Sequence, residues 1–80
     1  MRGRKYAEFA EQIKVGNRVY EIPMWVIGTE PGWVYVVAAV TVGRYESIIA
    51  KACDKAKELP ERIEEVKKKV EKEIEELSKE

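Results

Sequence analysis

Arg44-Tyr45-Glu46-Ser47-Ile48-Ile49-Ala50-Lys51-Ala52-Cys53-Asp54-Lys55-Ala56-Lys57-Glu58-Leu59-Pro60 opens the glycine-free part of an 80-residue chain. Tyr45, Ile48, Ile49, Ala52, Ala56 and Leu59 recur at helical intervals, so the stretch predicts an amphipathic helix over 44–59. Pro60-Glu61 then reads as the first turn of a second helix, with proline where no backbone donor is needed and an acid near the positive dipole end. In a single heptad frame, position a holds Ile49, Ala56, Ile63, Val70 and Leu77, and position d holds Tyr45, Ala52, Leu59, Val66 and Glu73. Only Glu73 is polar, and the phase survives Pro60. The expectation is two helices in continuous register, kinked at Pro60. Beyond the proline the apolar stripe Ile63, Val66, Val70, Ile74 and Leu77 is narrow, as at a helix–helix seam, and is assigned to an intermolecular contact. Glu64–Lys68, Glu65–Lys69 and Glu75–Lys79 are spaced to pair on the outer side.

Upstream, Val19–Ile27 and Trp33–Val42 are rich in β-branched and aromatic residues and predict strands joined by a loop over 28–32. Pro23 marks an edge or a bulge. Lys5–Val15 admits two readings. Tyr6, Phe9, Ala10 and Ile13 carry a helical spacing, whereas Gly16-Asn17 between β-prone arms signals a hairpin. The hairpin is preferred; it sets Ile13 opposite Tyr20, Phe9 opposite Met24, and Glu11 opposite Ile22 on the buried side. Alternation then places Tyr20, Ile22, Met24 and Val26 with Val34, Val36, Ala38, Val40 and Val42 in the core. The other face carries Val19, Glu21, Trp25 and Ile27 beside Trp33, Tyr35, Val37, Ala39 and Thr41. A solvated face should be polar there, so Trp25, Trp33 and Tyr35 join the expected interface.

The fold expectation is therefore α+β: a small antiparallel three-stranded sheet, its first strand open to a helical reading, followed by two C-terminal helices. Residues 1–59 form a sheet-plus-helix unit. Residues 60–80 form an amphipathic helix, either part of the same folding unit or an oligomerisation arm.

Composition narrows the function classes. Lys+Arg and Asp+Glu are equal at 15 each, and 45% of residues are hydrophobic, which argues against both disorder and a polyelectrolyte. Lys/Glu enrichment with few thermolabile side chains is shared by hyperthermophile proteins and idealised designed helices, and composition leaves both origins open. The longest apolar run, Trp33–Val40, is far short of the ~20 residues of a membrane span. Met1–Lys5 leads into charged sequence rather than a secretory signal, giving a cytoplasmic expectation. With no histidine and one cysteine, no metal spacing and no nucleophile–base set can be written, and no cofactor is expected. Cys53 reads as a small, half-buried helix residue. Glu8, Glu11 and Glu21 would make an acid–base site only if brought together in an apolar pocket. Gly28-Thr29-Glu30-Pro31-Gly32 lacks the spacing and lysine of a phosphate loop. The expected function is a non-enzymatic, homo-oligomeric interaction module. The alternative is a nucleic-acid binder stacking bases on the aromatic face, with Arg2, Arg4, Lys5, Lys14 and Arg18 on phosphates.

Overall fold

The computed structural model describes residues 3–29, 32–54 and 56–78. Four strands, β1 (Gly3–Val15), β2 (Arg18–Thr29), β3 (Trp33–Val42) and β4 (Tyr45–Cys53), form one antiparallel sheet in chain order. A short 3-10 turn (Ala56–Glu58) leads into a single helix, α1 (Leu59–Ser78). The three-stranded sheet with two helices is thus corrected to a four-stranded sheet with one.

The difference lies wholly in residues 44–60. Gly43-Arg44 is a two-residue hairpin loop, and Gly43 adopts φ +60° as Gly16 adopts +62° in the first hairpin. Only the first loop position is left-handed, the demand of a type II′ turn, which suits the twist of paired strands. The loop folds the chain back on β3 in the register Val42↔Tyr45 through Val34↔Cys53. Tyr45, Ile48, Ile49 and Ala52 satisfy a helical spacing, but here they divide between two sheet faces. Pro60 accordingly does not kink a helix. It sits in the first turn of α1, where its missing N–H has no partner to lose. Among the described residues there is one α-helix, so the heptad shared by two helices dissolves and a coiled-coil seam is not supported.

The first hairpin has the register expected of it: Ile13↔Tyr20, Phe9↔Met24 and Glu11↔Ile22. Residues 5–15 are strand, with a bulge at Tyr6 between Lys5 and Ala7. The chain turns between β2 and β3 with the Gly32 N–H donating to the Thr29 carbonyl at 2.7 Å. The β2–β3 ladder, however, runs only from Thr29↔Trp33 to Met24↔Ala38. It stops at Pro23, which has no N–H to donate. Below that point no ladder pairs join the two hairpins, although Ile22 and Val40 stay buried in the core.

One face of the sheet and α1 make the core. Ile13, Ile22, Met24, Val36, Ala38 and Val40 lie under Val66, Val70 and Ile74, with Phe9, Tyr20, Val42, Ile49, Leu59 and Ile63 packed around them. The sheet curls around the helix, since both edge strands reach its flanks. Lys67 meets Glu11 of β1 at 3.7 Å, and Glu65 meets Lys51 of β4 at 3.4 Å. Glu65 also holds Arg62 at 2.6 Å, and Glu64 meets Lys67 at 3.5 Å, so the helix acids turn to these partners rather than to Lys68 and Lys69. Lys79 lies outside the described residues. The burial of Glu11 implied by the hairpin register is real but partial, and Lys67 accounts for it.

Candidate interaction face

Among the described residues no helix lies over the opposite face of the sheet, and the strand registers assemble it row by row. Trp25 stands beside Val37, and Val37 beside Ala50. Ile27 stands beside Tyr35, and Tyr35 beside Ala52. Thr29 and Trp33 close the upper end, while Ala39 and Ile48 continue the surface downward. Trp25, Ile27, Tyr35 and Val37 are half-buried by one another, whereas Trp33 is 44% exposed and Ile48 76% exposed. Every one of these positions should alternate to a polar residue on a solvated face.

Polar groups touch this surface at its β1 margin. Glu8, opposite Trp25, accepts the indole N–H at 3.0 Å and pairs with Lys5 at 2.9 Å. The Lys5 hydrogen bond, then the Trp25 hydrogen bond, then the Lys5 charge hold the Glu8 carboxyl below the ordinary glutamate value. Glu8 thereby fixes the indole and neutralises the nearest lysine at once.

The basic residues assigned to phosphate contacts do not converge. Arg4 lies 6.0 Å from the Tyr6 ring centre, beside Gly28 on the helix side of the sheet. Lys5 is paired with Glu8, Lys14 stands at the far end of β1 beside Val19, and Arg18 is at the first hairpin end. Arg2 lies outside the described residues. The carboxylates do not converge either: strand parity puts Glu11 on the helix side and Glu8 and Glu21 on the open side, two rows apart. Among the described residues no group of His, Cys, Asp and Glu is placed to hold a metal ion, and no helix is long and apolar enough to cross a membrane.

Of the expected interface residues, the structure brings Trp25, Trp33 and Tyr35 together on the open face. It places Val66, Val70 and Ile74 at 0% exposure in the chain's own core, with Ile63 packed beside them and Leu77 half-buried. Cys53 is the last residue of β4, not a helix residue; it is 2% exposed, with Sγ 3.7 Å from Glu58 Oε2. Sequence reasoning missed Ile48, Ala50 and Ala52, which complete the face. Their signal was present: alternate positions following a Gly-containing two-residue loop. The chain matches no protein-family model, no curated protein and no solved structure, so the reading of this face rests on its geometry.

Proposed function

We propose that the chain is a non-enzymatic self-association module whose open sheet face packs on the same face of a second copy. One observation carries the reading: an uncovered apolar surface that spans β2, β3 and β4 and includes both tryptophans. Four strands at ~4.8 Å spacing and about nine residues of ~3.4 Å outline a face on the order of 500–600 Å². Two such faces bury on the order of 1,000–1,200 Å², at the lower end of stable interfaces. Lone surface hydrophobics are ordinary, whereas a contiguous apolar patch across three strands is of the size that marks an interaction site.

Charge supports a second copy over a nucleic acid. The centre of the face is neutral, and its margins carry Lys5, Glu8, Lys14, Glu21 and Glu46, with no excess of cations. A two-fold axis parallel to the strands lays β1 of one copy over β4 of the other and brings Lys14 toward the opposite Glu46. The copies then form an aligned sandwich with sheets ~10 Å apart.

Light scattering at low and high salt, with and without single-stranded DNA, tests this directly. The expected result is a salt-insensitive dimer that Ile48→Glu converts to a folded monomer. A wild-type monomer that gains mass with DNA would assign the face to base stacking instead.

A further inference from the structure

The sheet ends in two edge strands, and their edges differ in chemistry. A two-residue loop closes on a hydrogen-bonded pair, so Val15↔Arg18 and Val42↔Tyr45 set the parity of β1 and β4. By alternation, Glu8, Ala10, Gln12 and Lys14 aim their backbone N–H and C=O away from β2. Glu46, Ile48, Ala50 and Ala52 likewise aim theirs away from β3. Among the described residues no further strand pairs with either edge. The β1 edge carries features that discourage strand addition: Lys14, the Lys5–Glu8 pair and the bulge at Tyr6. The β4 edge is not blunted in this way. It pairs with β3 without a register shift, contains no proline, and has no buried residue from Glu46 to Ala52. Lys51 is its one cation, and Glu65 of α1 neutralises that ammonium at 3.4 Å. Past Glu46, the residues whose backbone points outward are all apolar. An edge of this kind is a template for another strand.

We propose that the edge of β4 pairs antiparallel with β4 of a second copy, joining two sheets into one. A two-fold axis normal to the sheet at Ile49 sets Ile48 opposite Ala50, Ser47 opposite Lys51 and Glu46 opposite Ala52 of the other copy. The residues with outward backbone groups then meet one another, as hydrogen-bonded pairs require. Larger side chains stand against smaller ones, and no like charges are opposed. The strand is therefore complementary to itself, which favours a second copy over a foreign segment. The pairing also continues the apolar open face from one copy to the next through Ile48, Ala50 and Ala52. A contact about 24 Å long and ~10 Å deep buries on the order of 500 Å² in total, which makes it weak and concentration-dependent. Main-chain hydrogen bonds supply its affinity. It uses backbone at the sheet edge, so it stands whether or not the open faces pack together. Where they do pack, the two β4 edges lie on opposite sides of the dimer, and edge pairing extends the dimer into an open assembly.

Sedimentation and backbone amide exchange of wild-type and Ala50→Pro protein, each at 5 and 500 µM, test this. Proline at position 50 removes an outward N–H and no bond to β3. The wild-type mass should rise with concentration, and the Ala50→Pro mass should stay at its 5 µM value. In the wild type, the amides of Ile48, Ala50 and Ala52 should exchange at least threefold more slowly at 500 µM than at 5 µM. Those of Ala10, Gln12 and Lys14 should not change. The wild-type exchange decides the matter even if the proline variant fails to fold. A dimer of constant mass whose β4 edge still exchanges fast at 500 µM would keep the face reading and overturn this one. A 5 µM monomer that gains both mass and edge protection at 500 µM would do the reverse. Edge amides that slow only on adding the capped peptide Thr-Val-Thr-Val-Thr-Val would assign the edge to a foreign strand and overturn self-pairing.

Discussion

Val70→Ala separates a core helix from a seam helix. Val70 is 0% exposed and packs within the cluster of Ile13, Met24, Val36 and Val40. Removing two methyl-sized groups forfeits ~0.8 kcal/mol each, or about 1.6 kcal/mol of transfer free energy. A residual void on the order of 40–50 Å³ adds about 1 kcal/mol. Alanine's better helix propensity returns about 0.5 kcal/mol. The net loss is ~2 kcal/mol, against a total stability of roughly 4–12 kcal/mol for a domain of this length. At ~4–8 °C per kcal/mol, Tm should fall by about 8–16 °C. The shift should be the same at 5 and at 500 µM protein, since the lost contacts are within one chain. Paired melts with light scattering at both concentrations measure it. A Val70→Ala protein that melts like wild type but dissociates would place α1 between chains and refute the intramolecular core.

Three further outcomes follow from individual side chains. The Tyr6 ring covers Gly28 so closely that a Cβ at that position would meet it; Gly28→Ala should cost about 1 kcal/mol, and pairing it with Tyr6→Ala should recover part of the loss in a double-mutant cycle. Cys53→Ala should lower stability by about 1–2 kcal/mol, read by denaturant melts, while leaving the protein's mass in solution unchanged. Because the Glu8 carboxyl is held below its ordinary value, its contribution is complete above the unfolded glutamate range near ~4.3 and fades as pH falls through the lower folded value. The Glu8 carboxyl and the Trp25 indole N–H should titrate together by NMR, and Lys5→Ala should move their shared midpoint upward; an unmoved midpoint contradicts the Lys5 assignment.

What the sequence made legible was local. Gly16-Asn17 encodes a loop whose geometry fixes the register of everything within a dozen residues, so the turn residues alone are enough to set Glu11 opposite Ile22. Val34, Val36, Ala38, Val40 and Val42 share a side by strand parity, but β3 is apolar on both sides, and it was their pairing with the β2 set that marked them as core. The end of the β2–β3 ladder was half-legible: Pro23 announces an irregularity, but not that the pairing of the two strands ends there. The partner of the helix stripe was not legible at all. Ile63, Val66, Val70, Ile74 and Leu77 state that something apolar must cover them, and a narrow stripe looks the same whether that cover is a curled sheet or another helix. Nor could spacing along α1 reveal that Glu65 and Lys67 reach past their helical neighbours to Lys51 and Glu11.

The misread fourth strand bears on function as well as fold. A strand with one wet face alternates and is recognisable; a strand buried on both faces becomes a near-continuous apolar run and loses its period. Ser47, Ile49, Lys51 and Cys53 of β4 turn toward α1, and Ile48, Ala50 and Ala52 turn away from it. Beyond Glu46 at its start the outward set is apolar, and together with Tyr45 and Ile49 on the inward side its members fall at helical intervals by accident. The same loss of alternation marks Trp25 and Ile27 on β2 and Trp33, Tyr35, Val37 and Ala39 on β3. Three adjacent strands are thus patterned for cover on both faces, while the described residues hold one helix, which covers one. The proposed packing against a second copy would cover that second face, Ile48, Ala50 and Ala52 included, with no further element.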